Sequence, residues 1–492
     1  MAAAGGGAGG AGGAGEGGAG AAAELPPSAS CDAIVAIDFG THGTGFAVAY
    51  PTREALEDPV AAGADVIVFK PGEGAGHSDK QLTALLLNPH DNALIRFGLR
   101  ARKHFAELCD TPRAESALYF HTFKMALAPT PTRPRDVMHM TLPAVGRVAA
   151  GGTAGTASDF RPTCELMVLV QRVLESVKAD VLFHLKGRLP RPPASLNLRW
   201  VLTVPVIWDD EGKAFMREAA VRAGLVASHD SPRLLLALEP EAAVLASIAD
   251  MAPAARAEFT PGKRLMVVDC GGGTVDITVD EIAGDRPLSL REVAPASGGP
   301  WGATYVDKQF MGFIKDILGD KWGYVDHRTQ LELLNAWEAA KMEVGSRPPT
   351  DERADELHIF VGDIIDNISE KLETFSKDDM VMLVENFNER HGLTGADAVL
   401  LTRAKRLCVP GKLSRSFFMT VINRTVEHIQ GMLDSGRVGR IDFIVLVGGF
   451  AESKLLQSVM RAKFETADRK VISPQRPGLV VAIGAALLGL YR

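Results

Sequence analysis

The sequence predicts an α/β chain with mixed sheets, arranged as two similar lobes that face each other. Three observations lead there. "AIDFGTHGTG" at 36–45 carries an apolar run to Asp38 and breaks it at once with small turn-forming residues, and "VDCGGGTVD" at 268–276 repeats that grammar about 230 residues later. Apolar strand-like runs alternate with stretches of helical periodicity. A late strand, "IDFIVLVGGF" at 441–450, stops in the same way at Gly448 and Gly449.

The elements follow in order. Residues 34–39 read as a buried strand and 46–50 as its hairpin partner. The stretch 51–150 is mixed, with Pro and Gly punctuating 71–76 and "APTPTRP" at 128–134 forming a loop; "GGTAGTAS" at 151–158 is a flexible link. Apolar spacing predicts a helix over 164–185, and "LRWVLTVP" at 198–205 is a strand ended by Pro205. An amphipathic helix over 209–225 opens on acidic residues and stops at Gly224. The runs 265–268 and 275–282 form the second hairpin, 331–344 and 417–433 are helices, and 480–490 is a closing helix. Two Asp-Gly hairpins at this separation suggest duplication.

Composition narrows the function. The chain has 492 residues, 46% of them hydrophobic, enough for more than one core. A net charge of −7 argues against nucleic acid or an anionic membrane as the main partner. Five scattered cysteines (31, 109, 164, 270 and 408) without C-x-x-C read as reduced thiols of a cytoplasmic or nuclear protein. Residues 1–23 contain only Met, Ala, Gly and Glu16, which predicts a disordered Gly/Ala-rich tail, taken to extend over 1–30. That composition is not that of a secretion signal, and no apolar run approaches the roughly 20 residues of a membrane span.

Glycine turns of this kind suit phosphate. Backbone N–H groups cradle a phosphate chain only where side chains leave room, and an aspartate at the strand end faces the same space and can hold Mg²⁺. Asp38 before Gly40 and Thr41 fits, as does Asp269 before Gly271, Gly272, Gly273 and Thr274, with Asp276 a third carboxylate. Neither G-x-x-x-x-G-K-[ST] nor G-x-G-x-x-G is completed, and H-E-x-x-H is absent. His42, inside the first turn, reads as a phosphate-side donor or as turn filling.

Taken in order, "AIDFGTHGTGFAVAY", "VLTVPVIWDD", "LEPEAAVLA", "MVVDCGGGTVDIT", "WEAAKMEVGS", "IDFIVLVGGF" and "GLVVAIGAALLG" resemble the ATPase domain of the 70-kDa heat-shock proteins. The resemblance runs from about residue 33 to 490. "YFHTFKMAL" and "GGPWGATYVDKQF" are closer to the atypical heat shock 70 kDa protein 12 branch. It implies the actin-like (ribonuclease H-like) two-lobe ATPase fold, with ATP or ADP and Mg²⁺ in a central cleft. Lobe I would comprise 31–258, lobe II 259–473, and 474–492 would return to lobe I.

Residue by residue, Asp38 and Asp269 would share hydrated Mg²⁺, and Gly40, Thr41, His42, Gly271, Gly272, Gly273 and Thr274 would line the phosphates. Lys124 matches the catalytic lysine, Glu239 and Asp276 the groups that orient water, Glu338 and Lys341 the pair at the ribose, and Gly448 and Gly449 the adenosine-side turn. Four departures stand out. His42 replaces a threonine, Gly478 replaces an aspartate, and Met342 and Glu452 replace two arginines that sandwich the adenine. Phe450 is the nearby aromatic able to stack instead, or else a core residue capping the strand. With Arg492 as the last residue, no peptide-binding domain is expected.

Three readings stay open. One is a chaperone-like protein that hydrolyses ATP slowly and gates an unidentified protein partner by lobe closure. A second is a nucleotide-binding scaffold with negligible turnover. The third is a small-molecule, sugar-type kinase of the same superfold.

Overall fold

The computed structural model describes residues 30–60, 66–69, 80–109, 117–128, 137–144, 163–285, 288–347 and 353–491. The Gly/Ala tail before Ser30, the Pro/Gly stretch at 71–76, the loop beyond Ala128 and the link at 151–158 lie outside the described residues.

Two sheets of the same design dominate. In the first, the order is Leu234–Leu238, Leu198–Val204, Ala33–Phe39, Gly43–Ala49, Ile67–Val68, with Gln81–Leu82 also paired to Gly43–Ala49. In the second it is Lys470–Ile472, Phe443–Val447, Arg264–Cys270, Val275–Asp285, Leu288–Gly299. Each runs parallel, parallel, antiparallel, antiparallel along those pairings. The hairpin register matches too: Asp38 pairs with Gly45 and Asp269 with Asp276. The duplication suggested by the two hairpins is therefore a duplication of whole sheets.

The strand sequences explain the layering. Ala33–Phe39 and Leu198–Val204 are buried along their whole length, as parallel strands covered on both faces must be. Each buried Val, Leu or Ile stabilises by roughly 1.5–3 kcal/mol. One core gathers Val35, Ile37 and Leu202 of the first sheet with helices Leu166–Leu185 and Asp210–Arg222. Another joins Met266, Val268 and Leu446 of the second sheet to helices Thr304–Leu318, His327–Ala340 and Gly411–Asp434.

Helices Glu239–Ala249 and Val480–Tyr491 lie between the two sheets. Leu245 and Ala485 pack with Ile34 and Val201 of the first sheet, while Val244 and Val480 pack with Val267 and Val445 of the second. Val480–Tyr491 is apolar on every side, so it has no solvent face to offer. Among the described residues, no helix is long and apolar enough to cross a membrane, and all five cysteines are free.

Element boundaries moved where caps decide them. Helix His327–Ala340 begins four residues before the apolar periodicity because the Asp326 side chain accepts from Thr329 N at 2.8 Å, and it ends in the 3₁₀ turn Lys341–Glu343. Thr163–Glu165 is a short strand ahead of helix Leu166–Leu185. Gly411–Asp434 starts directly after Pro410, several residues earlier than the pattern indicated.

Candidate functional site

The ends of the two hairpins meet. A side-chain carbon at Gly272 would come within 2.6 Å of His42 Cβ, and one at Gly273 within 3.2 Å of Thr41 Cγ2. The turn glycines are thus required for the close approach of the two lobes, besides any ligand. Gly448, with φ +87°, presses its backbone on Asp269, where a Cβ would stand 2.3 Å from Oδ1. Gly449 opens on free space.

Carboxylates converge here. Asp38 is 4% exposed and Glu239 8%. Asp276 sits directly across the hairpin from Asp269, and the Thr274 hydroxyl donates to its Oδ2 at 2.7 Å. Burial first, then the neighbouring Glu239, Asp276 and Asp38 carboxylates, push Asp269 up to about 8. Burial likewise raises Asp276, opposed by the Thr274 hydrogen bond and by Lys124.

Two lysines answer this charge. Lys124, on the 3₁₀ turn Phe123–Leu127, donates from Nζ to Glu239 Oε1 at 2.9 Å, with both groups buried. Burial opposes its charge, but Glu239, with Asp38 and Asp269 beyond, outweighs this and holds the ammonium above its ordinary value. Lys80 donates to Asp38 Oδ2 at 2.5 Å. Its stem runs over Gly45, whose added Cβ would lie 3.0 Å from Lys80 Cγ. The position facing Asp38 across its hairpin is therefore a glycine covered by a lysine, whereas the position facing Asp269 is a second carboxylate.

The expected ribose pair is engaged elsewhere. Both Glu338 oxygens accept from Arg102, at 3.0 and 2.7 Å, and Lys341 donates to Asp307 Oδ1 at 2.7 Å, an oxygen that also accepts from Trp337 Nε1. Arg102 belongs to helix Leu99–Cys109 and Glu338 to His327–Ala340, so this bidentate pair ties the two halves together. His42 Nε2 stands 3.8 Å from Glu338 Oε1. The crowded surroundings lower its imidazole below the ordinary value despite the pull of Glu338.

Phe450 departs from the adenine-stacking expectation. Its ring is 6% exposed and lies in the second-sheet core, stacked on Phe418 with centroids 6.4 Å apart. The 3₁₀ turn Gly449–Glu452 points the aromatic inward, because a lone ring after a strand gains more by burial than by standing at a polar cleft. Glu452 and Gly478, two of the departures, lie together: a Cβ on Gly478 would be 2.4 Å from Glu452 Oε1.

Sequence reasoning missed Lys80, Arg102 and Asp307. Asp307 lies inside the quoted run 298–310 and Arg102 beside Arg100 and Lys103, but nothing in either run, or around Lys80, says which partner the charge meets. Only the fully buried Trp337 hinted that a polar partner for its indole was near.

Hard oxygen donors from Asp38 and Asp269, at facing strand ends and beside small turns, suit Mg²⁺. No family model matches the chain. Human heat shock 70 kDa protein 12B is 30% identical over 94% of this chain and 69% of its own length. Mouse heat shock 70 kDa protein 12A is 28% identical over 93% and 69%. The chaperone protein DnaK of Anaplasma marginale is 28% identical over 59% of this chain and 37% of its own. A likeness that spans both sheets and both connecting helices is one of descent: the chain belongs to the 70-kDa heat-shock protein family, with its actin-like two-lobe ATPase fold.

Proposed function

We propose that the protein binds Mg·ATP between its lobes, hydrolyses it slowly and uses the resulting lobe closure to gate a protein partner. One observation carries the reading: four carboxylates and two lysines meet at the facing ends of duplicated glycine hairpins. Four buried carboxylates against two lysines leave excess negative charge, which is unfavourable unless a further cation joins the site.

Asp38 and Asp269 would hold Mg²⁺, which would screen the phosphate charge when bound. Gly40, Thr41, His42, Gly271, Gly272, Gly273 and Thr274 would line the phosphates, with the Thr274 hydroxyl and the Gly271 N–H already given to Asp276 and to the Thr274 carbonyl. Glu239 and Asp276 orient the attacking water, and Lys124, fixed by Glu239, offsets charge on the terminal phosphate. Lobe I over 31–258, lobe II over 259–473 and the returning 474–492 fit sheets whose strands fall at 33–238 and 264–472, and a closing helix that packs on both. A chaperone-like role follows the likeness to DnaK.

Turnover of ATP by the purified protein, with and without a panel of sugars, tests the reading. Slow turnover indifferent to sugars supports it. Tight binding without turnover favours the scaffold, and sugar-dependent ADP release favours the kinase.

A further inference from the structure

A separate group of side chains lies outside the hairpins, on the small sheet ordered Leu357–Phe360, Arg406–Val409, Leu400–Leu401. His358 and Cys408 are directly opposed across the antiparallel pair. Glu356 precedes the strand by one residue, and the period of two places it on the face of His358. Leu357, Ile359, Leu407 and Val409 are buried in the core, so the other face, with Glu356, His358 and Cys408, looks outward. Their donor atoms all lie within 4.8 Å of one another, and Glu356 Oε1 is 2.9 Å from His358 Nε2.

We propose that Glu356, His358 and Cys408 form a Zn²⁺ site. Ligands at about 2.0–2.3 Å in a tetrahedron stand roughly 3.3–3.8 Å apart, so rotamer adjustments well under 2 Å close the set. One carboxylate, one imidazole and one thiolate make a borderline-soft donor set, which suits Zn²⁺ and not Mg²⁺ or Ca²⁺. Burial and the adjacent Glu356 carboxylate push the Cys408 thiol up to about 11. A bound cation reverses that, since it stabilises thiolate and carboxylate together.

Three protein ligands leave a fourth position for water or an incoming donor. Glu356 and His358 also line a cavity of about 430 Å³ beside helix His327–Ala340. The ion would join residues 356 and 408, closing a loop that contains helices Gly362–Lys371 and Lys377–His391. The site rests on none of the nucleotide-binding residues.

The full chain, stripped with a chelator and dialysed against Zn²⁺, is to be assayed for metal, and Co²⁺ substituted as a spectroscopic probe. Wild type should retain one Zn²⁺ per chain that His358→Ala and Cys408→Ser lack, while Asp269→Asn retains it. The Co²⁺ form should show a thiolate charge-transfer band and tetrahedral ligand-field bands, with the thiolate band gone in Cys408→Ser. Glu356→Gln serves if either variant misfolds, and should weaken retention. Equal metal content in wild type and variants, or a Co²⁺ spectrum without a thiolate band, would overturn the proposal.

Discussion

Lys80 Nζ lies 2.5 Å from Asp38 Oδ2, on the carboxylate proposed to face Mg²⁺. An ammonium and a divalent cation compete for the same oxygen, so the lysine must move or share when metal enters. Lys80→Met should therefore bind free Mn²⁺, a stand-in for Mg²⁺, about tenfold more tightly, and bind metal-free ATP more weakly. Titration followed by Mn²⁺ paramagnetic resonance and by calorimetry checks both. Unchanged values would leave Lys80 a bystander.

Asp38→Asn and Asp269→Asn should each abolish Mg²⁺-dependent ATP binding with the fold intact. Each group sits one residue before the end of its strand, and Asn keeps its shape. Asp269→Asn also relieves carboxylate crowding, so it should unfold no lower than wild type, whereas Asp38→Asn takes the partner of Lys80 away and should unfold lower. Wild-type Mg·ATP affinity in both variants would remove these residues from the site.

Lys124 and Glu239 form a buried pair, which makes single truncations ambiguous. Lys124→Met alone leaves Glu239 uncompensated and should destabilise by about 3–5 kcal/mol. Glu239→Gln should fold, bind ATP and lower any turnover by about 10²–10⁴. The double variant should recover most of the lost stability but none of the activity. Denaturant melts and single-turnover assays distinguish these outcomes.

Arg102 holds Glu338 below the ordinary carboxylate range, its two hydrogen bonds outweighing the opposing effect of burial. A depressed carboxylate contributes stability that is present above its unfolded value of 4.5 and is lost as pH falls below it. The bridge between the two halves should therefore weaken only in acid, and Glu338→Gln should flatten stability against pH in that window. At neutral pH, Arg102→Ala should speed nucleotide dissociation by about tenfold, measured with a fluorescent ATP analogue.

Nucleotide selectivity should be loose. Met342 and Glu452 cannot stack on adenine as guanidinium planes do, and losing two stacks at about 1 kcal/mol each weakens binding on the order of 30-fold. Micromolar ATP affinity with little preference over GTP is expected. Because Phe450 lies in the core against Phe418, Phe450→Ala should cost about 3–5 kcal/mol of stability and leave ATP selectivity unchanged. Nanomolar affinity with strong rejection of GTP would mean that other groups hold the base.

The sequence by itself determined the fold class and the paired hairpins, because both rest on local signals. An apolar strand that stops at Asp and Gly is legible within ten residues, and its repetition at Asp38 and Asp269 was enough to indicate duplication, whose extent to whole sheets only the structure gave. Tertiary structure alone decided which charges meet. Lys80 on Asp38, Arg102 on Glu338 and Asp307 on Lys341 join residues that are 42, 236 and 34 positions apart. Glu356, His358 and Cys408 likewise share a face only because Leu357–Phe360 pairs with Arg406–Val409 in that register. The inward turn of Phe450 was hidden for the same reason. Periodicity tells a chain which face of an element is apolar, but Coulomb attraction and packing act between elements, and their partners exist only once the chain has folded.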